Sequence, residues 1–325
     1  MAPKQEQAMK QLEQRVARIR ALEQNVLKVF EGKEEVVRKA VICLLAGGHL
    51  LVEDVPGVGK TLLAQALAIS VGLKFSRIQF TSDLLPTDIL GVTVFDQKSG
   101  EFRFKPGPIF ANLVLADEIN RTAPRTQSSL LEAMAERRVS TDDVTRDLPS
   151  PFWVIATQNP LESHGTYPLP ESQLDRFLMR VTVGYPPTSV ERALLLERTS
   201  SDPTARIGAV VGAEELADLM AAVDEVRFDD SLADYLLAIV QATRTSARLS
   251  VGVSTRGALA LTRASKAAAL VAGRSHVLPS DIKELCGPVL SHRVSMGTGE
   301  SVVGSSRAAA EAVIAELVSR VEVPL

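Results

Sequence analysis

Apolar positions along this chain change period several times, and each change predicts an element. Leu12, Val16, Ile19, Leu22, Val26, Val29 and Phe30 recur at helical spacing with charged residues between them. They predict an amphipathic N-terminal helix, either packed on the body of the protein or held out as a partner-binding arm. Glu31-Gly32-Lys33 breaks the pattern, and a second helix runs from Glu34 to Ala46, ending at Gly47-Gly48. His49-Leu50-Leu51-Val52-Glu53 reads as a buried strand, Leu62 to Ala68 as a helix, and Lys74 to Phe80 alternates as a strand. Leu113 to Ala116, Phe152 to Thr157 and Arg180 to Val183 are three more strands, and Thr126 to Arg137 is a helix. Gly91–Phe95 and Glu101–Phe104 alternate on either side of a turn-rich stretch, and Val139 to Thr145 repeats this on a smaller scale around Asp142-Asp143. Both predict hairpins. Elsewhere strands and helices alternate, which predicts an α/β fold with a parallel sheet flanked by helices on both faces.

The pattern shifts at Tyr185-Pro186-Pro187. Beyond it the periodicity is almost purely helical, over about Val190–Thr199, Glu214–Val223, Leu232–Thr245, Arg256–Ala272, Ile282–Leu290 and Ser306–Arg320. Asp230 and Ser280 suit N-caps, and Ala267-Ala268-Ala269 allows close helix packing. The predicted organisation is therefore two domains, residues 1–187 and an all-α domain over 188–325.

Composition narrows the setting. A net charge of −3 gives no support to bulk electrostatic binding of nucleic acid, and 4% aromatic residues leave little for stacking on bases. Cys43 and Cys286 lie far apart in apolar helical contexts and read as reduced core residues, which suits the cytoplasm. No apolar run is long enough to span a bilayer.

Two stretches carry the chemistry. Pro56-Gly57-Val58-Gly59-Lys60-Thr61 joins the strand at 49–53 to the helix that begins around Leu62. A glycine-rich turn in that place lets backbone N–H groups approach phosphate oxygens, and the helix N-terminus adds a favourable dipole. Lys60 is expected to reach the β- and γ-phosphates of ATP, and the Thr61 hydroxyl to hold Mg²⁺. The general pattern has glycine where Asp54 stands; aspartate tolerates left-handed backbone angles, so the turn is expected to survive. The second stretch, Leu113 to Ala116, delivers Asp117 and Glu118 at the C-terminal edge of the sheet, where ligands of open α/β sheets bind. Asp117 is expected in the metal shell and Glu118 as the group that polarises the attacking water.

With these motifs, the two hairpins and the helical C-terminal region in hand, nearly the whole chain resembles the MoxR family of AAA+ ATPases. The resemblance is carried by Val52 to Thr61, by Ala116-Asp117-Glu118-Ile119-Asn120-Arg121-Thr122, by Ala156-Thr157-Gln158-Asn159-Pro160 and by Leu174-Asp175-Arg176-Phe177. It implies a P-loop NTPase sheet followed by a helical lid. It implies that Asn159 is a sensor of the γ-phosphate. Arg176 would be an arginine finger reaching a neighbour's site, against the alternative of a pair with Asp175 or Glu171 and with Arg121 and Arg125 as competing candidates. Arg256, in Ser254-Thr255-Arg256 where the family more often has proline before the arginine, would be a second sensor touching the γ-phosphate as ATP binds between sheet domain and lid; Arg263 is the runner-up. Gly32 would lie near the adenine, with Lys33 where glutamine is usual. The same resemblance implies a homo-oligomeric ring, a hexamer, which uses ATP to remodel or mature protein clients, often with a von Willebrand factor A domain partner. The inserted hairpins would engage the client. The alternatives are an AAA+ ATPase acting on DNA, a weakly hydrolysing ATP-binding scaffold, and a small-molecule kinase.

Overall fold

The computed structural model describes residues 3–160, 165–196, 202–297 and 306–324. In chain order the elements are α1 (Pro3–Leu27), α2 (Glu34–Leu45), β1 (His49–Glu53), α3 (Lys60–Ser70), β2 (Phe75–Gln79), α4 (Pro86–Leu90), β3 (Gly91–Asp96) and β4 (Glu101–Pro106). Next come β5 (Leu113–Asp117), α5 (Pro124–Glu136), β6 (Arg138–Thr141), β7 (Val144–Asp147), β8 (Trp153–Gln158), α6 (Glu171–Leu174) and β9 (Phe177–Val181). The remainder is α7 (Thr188–Leu196), α8 (Ala213–Glu225), α9 (Asp230–Thr245), β10 (Leu249–Val251), α10 (Thr255–Val271), α11 (Pro279–Leu290), β11 (Ser295–Met296) and α12 (Ser306–Arg320).

Five strands form the central sheet in the order β2-β5-β8-β1-β9, with every neighbouring pair parallel. β1, β5, β8 and β9 are buried along their whole length, whereas β2, at the edge, is only partly covered. Successive side chains of a strand point to opposite faces. Accordingly Leu50 and Val52 join a core with α1, α2 and α3, while Leu51 joins a second core with α5. This is the predicted α/β architecture of three layers.

α1 packs on its own chain. Ile19, Leu22 and Val26 are fully buried, and the buried Arg15 binds Asp218 at 3.0 Å and Glu225 at 2.6 Å on α8. The helical C-terminal region shares the first core through residues such as Leu216, Leu219, Leu261 and Ala264, and so lies against α2. Cys43 and Cys286 are free and buried, and burial pushes the Cys286 thiol up to about 12.

Several predicted details shift. β9 begins at Phe177 rather than Arg180, because β1 pairs with it from His49↔Phe177 onward. Asp229, not Asp230, caps α9 by accepting from Ser231 N. At α11 the Asp281 carboxylate, not Ser280, accepts the Leu278 N–H at 2.8 Å. The C-terminal region also contains a small antiparallel pair, β10 with β11. Both hairpins are present, and the second turns through Asp142 and Asp143 at φ 52° and 60°. Residues 197–199 of the helix expected over Val190–Thr199 lie outside the described residues.

Candidate active site

Sheet order assembles the site. β8 lies between β5 and β1, so the loop after β1, the acidic pair after β5 and Asn159 after β8 share one edge. Gly57 and Gly59 take φ of 86° and 88°, a region that side chains disfavour, and Gly59 leads into the first turn of α3. Lys60 is buried, and its Nζ donates to the Asp54 carbonyl oxygen at 2.7 Å, drawing the loop closed across its own mouth.

Asp54 survives in a glycine position for a reason other than the expected one. It is not among the residues with positive φ. Its buried carboxylate instead accepts three backbone N–H groups, Val55 at 2.7 Å, Val183 at 2.8 Å and Gly184 at 2.5 Å. The loop is thereby tied to the chain leaving β9.

Beside the loop is a pocket of about 400 Å³, lined on one side by Gly57, Val58, Gly59 and Leu62 and on the other by Phe30, Lys33, Pro186, Val190 and Arg206. Gly32 adjoins it at φ 71°; a Cβ there would stand 2.8 Å from Pro187 Cδ. Lys33, in the wall of the pocket, donates to the Val183 and Tyr185 carbonyls at 2.7 and 2.5 Å. An apolar slot edged by a glycine-rich backbone turn suits a nucleobase. Among the described residues none of its lining comes from α8 onward.

The acidic pair is engaged on every side. Asp117 Oδ1 accepts the Thr157 hydroxyl at 2.6 Å, and Oδ2 accepts Arg77 Nη2 at 2.6 Å and Nε at 3.2 Å. Glu118, at φ 58°, has Oε2 within 2.8 Å of Gln79 Nε2 and 3.1 Å of Arg121 Nη1. Its own N–H donates to Thr157 Oγ1 at 2.9 Å. Asn159 is buried at the end of β8. Thr61, on the first turn of α3, and Asp117 carry hard oxygen donors of the kind that suits Mg²⁺. Among the described residues no three His, Cys, Asp or Glu side chains gather into an all-protein metal cage.

The candidate arginines separate. Arg176 donates to the Leu131 carbonyl at 2.6 Å instead of pairing with Asp175 or Glu171. Arg256 does not line the P-loop pocket; it sits 3.9 Å from Asp175. Arg176 and Arg256 line a different cleft, of about 540 Å³, together with Glu132, Glu136, Arg138 and Ser140. The pocket beside the P-loop is walled by the α1–α2 junction and by Val190 and Arg206 from the region beyond residue 187, and Arg256 is not part of that wall. Arg121 is engaged with Glu118 of its own chain, Arg125 is exposed, and Arg263 is bound to the Ala46 carbonyl and Asp224.

Sequence reasoning missed Arg77, Gln79, Thr157, Arg180 and Arg293. Buried Arg180 contacts Glu53 at 3.2 Å, Ser291 at 3.1 Å and Glu311, and Arg307 stands 2.8 Å from Glu53. These pairs connect α12 to the strand feeding the P-loop. Arg293, buried, binds Asp175 at 2.7 Å and the Phe177 and Leu178 carbonyls at 2.6 and 3.1 Å.

Comparison with known proteins agrees with this geometry. The pattern of the ATPase family associated with various cellular activities (AAA) matches residues 49–179, and that of the AAA lid domain matches 241–316. The chaperone MoxR1 of Mycobacterium tuberculosis is 42% identical over 278 residues, 83% of this chain and 73% of that protein. The uncharacterized protein YeaC of Bacillus subtilis is 46% identical over 302 residues, 93% of each. The crystal structure of a protein from Cytophaga hutchinsonii superposes with a TM-score of 0.90 at 34% identity, covering 99% of both chains. Fold, site and kinship agree, and the chain belongs to the MoxR family of AAA+ ATPases.

Proposed function

We propose that this chain hydrolyses ATP with Mg²⁺ as one subunit of a homo-oligomeric ring, a hexamer by the habit of the family. The cycle would drive chaperone-like remodelling of protein clients in the cytoplasm, with a von Willebrand factor A domain protein as one kind of partner. The M. tuberculosis relative is named a chaperone, and no described helix is long and apolar enough to cross a membrane.

The observation that carries the reading is the separation of the two clefts. Gly57, Val58 and Gly59, which lead into Lys60, line the P-loop pocket, while Arg176 and Arg256 open into the other cleft with Arg138. The separation supports a reading in which a triphosphate in one copy gains those guanidinium groups from a second copy. In this mechanism Lys60 leaves the Asp54 carbonyl for the β- and γ-phosphates. Thr61 and Asp117 would hold Mg²⁺, which would supply charge neutralisation to the phosphates. Glu118 takes the proton of the attacking water, and Asn159 orients that water without adding charge. Arg176 and Arg256 of the adjoining copy stabilise the charge that develops on the transferring phosphoryl group, an effect worth about 10³–10⁵ in rate for such fingers. We place the division between nucleotide-binding domain and lid near residue 187. The hairpin β3–β4 presents Phe95 and Phe102, exposed and in edge contact at 5.3 Å, toward a client.

The test mixes two inactive variants. Arg176→Ala keeps an intact P-loop, and Glu118→Gln keeps an intact finger. Co-assembled, they should recover part of the turnover that each lacks, because some interfaces then hold both functional halves. A mixture as inactive as its parts, with co-assembly shown by light scattering, would remove the trans arginine from the mechanism.

A further inference from the structure

Strand β2 reaches both carboxylates of the acidic pair. Arg77 and Gln79 are two residues apart and so project to the same side of this edge strand. In the parallel register Gln79 lies opposite Asp117. Arg77 places Nη2 2.6 Å and Nε 3.2 Å from Asp117 Oδ2, and the same Nη2 donates to Gln79 Oε1 at 2.8 Å. Gln79 then passes its Nε2 donor to Glu118 Oε2 at 2.8 Å.

The direction of this chain of bonds follows from donor and acceptor chemistry. A guanidinium only donates, so it captures the one acceptor of the Gln79 amide and turns the –NH₂ toward Glu118. With the amide reversed, N–H would face N–H at Arg77 and carbonyl oxygen would face carboxylate at Glu118. Arg77 thus fixes which end of Gln79 meets the catalytic carboxylate. On its inner side Asp117 is held by Thr157 at 2.6 Å, and Arg77 completes the grip from the outer strand.

We propose that Arg77 is a positioning residue for the ATPase reaction, acting on Asp117 directly and on Glu118 through the Gln79 amide whose orientation it sets. The inference rests on the ATPase reading given above. Its two arms separate experimentally: the Asp117 arm governs the divalent cation, and the Gln79 arm governs the water-activating carboxylate.

The experiment measures Mn²⁺ binding by electron paramagnetic resonance in the presence of a non-hydrolysed ATP analogue, alongside steady-state turnover. Outer partners of metal-holding groups are worth about 10–100-fold in affinity or activity. Arg77→Met should therefore weaken Mn²⁺ binding by about tenfold and lower kcat. Gln79→Met should lower kcat and leave Mn²⁺ affinity within about twofold of the parent, since Asp117 keeps its guanidinium. In the double variant Mn²⁺ affinity should match that of Arg77→Met, and the loss in kcat should fall short of the product of the two single losses, because one path is removed twice.

Arg77 is half-exposed on an edge strand, so its replacement by the equally long methionine is compatible with folding. Arg77→Lys gives an independent check. It offers a charge to Asp117 without the planar fork that spans two partners, so Mn²⁺ affinity should stay within about threefold while kcat falls as in Gln79→Met. Unchanged Mn²⁺ affinity in Arg77→Met, or losses in kcat that multiply in full, would overturn the proposal. Failure of the unsubstituted chain to take up Mn²⁺ with the nucleotide would instead strike at the ATPase reading itself.

Discussion

Replacing Asp54 by glycine separates two lines of reasoning. It restores the residue of the general P-loop pattern, and by pattern alone it is neutral or beneficial. The structure argues the opposite, since it deletes a buried carboxylate that accepts the N–H groups of Val55, Val183 and Gly184. Hydrogen bonds to a charged group are worth about 1.5–3 kcal/mol each, and a buried donor left unpaired costs about 1–3 kcal/mol. Val55 lies on the loop and can rehydrate, whereas the Val183 and Gly184 donors remain under the loop. Glycine adds a further cost of about 0.5–1 kcal/mol in backbone entropy. Together these give an expected loss of about 3–5 kcal/mol, with water entering the vacated space keeping it below the full sum. Equilibrium urea unfolding without nucleotide, followed by the fluorescence of Trp153 on the neighbouring β8, reads this loss directly. Asp54→Asn should fall between the two, because an amide keeps one acceptor but presents an N–H to one of the donors. A glycine variant as stable as the parent, or more stable, would refute the reasoning.

Four other outcomes follow from the same contacts. Glu118→Gln should bind ATP normally but lose turnover by about 10²-fold or more, measured by phosphate release. Arg293→Ala should cost about 3–5 kcal/mol in urea unfolding, since it leaves Asp175 and two β9 carbonyls without their buried partner. Gly48→Ala should lower the melting temperature or prevent folding, because its Cβ would stand 2.2 Å from that of Leu178. Stability should also fall with acid through a buried histidine. His49 Nδ1 accepts from Val154 N while Nε2 donates to the Met134 carbonyl, and burial pushes its pKa down to about 4 from the usual 6.5. The folded pKa lies below the unfolded one, so this contribution is complete above pH 6.5 and is lost as pH falls toward 4, by roughly 3 kcal/mol. Buried His292, also pushed down by desolvation and by Arg293, adds to the same slope. A His49→Gln variant should unfold with a flatter dependence between pH 7 and 4.

Much of this molecule is legible in its sequence because local physics writes it there. β1, β5 and β8 are continuous apolar runs that end in chemistry-bearing residues, and their burial on both faces is what such runs predict. The Asp142-Asp143 turn is equally local, as both residues accept left-handed angles. What could not be read depends on partners far along the chain. Arg293 meets Asp175 across 118 positions, and Arg180 meets Glu53 across 127. Nothing in the neighbourhood of either arginine distinguishes it from a solvated one. Thr157 hides inside an apolar strand, and only the β5–β8 pairing brings its hydroxyl to Asp117. Arg256 shows the limit most plainly. Its place at a helix start was readable, as Ser254 caps α10 by accepting from Gly257 N, but which cleft it enters is settled by how that helix lies against α2 and α8.

The docking of the N-terminal helix matters for anyone who shortens this protein. A piece beginning at β1 would contain every residue of the P-loop and both carboxylates, yet it would lack Phe30, whose ring lies against Gly59, and the rest of that wall of the pocket proposed for the base. It would also uncover the apolar flank of α3 that Ile19, Leu22 and Val26 now shield. Such a truncation would be sticky in solution and indifferent to which base its triphosphate carries, and neither trait would say anything about the catalytic residues it retains.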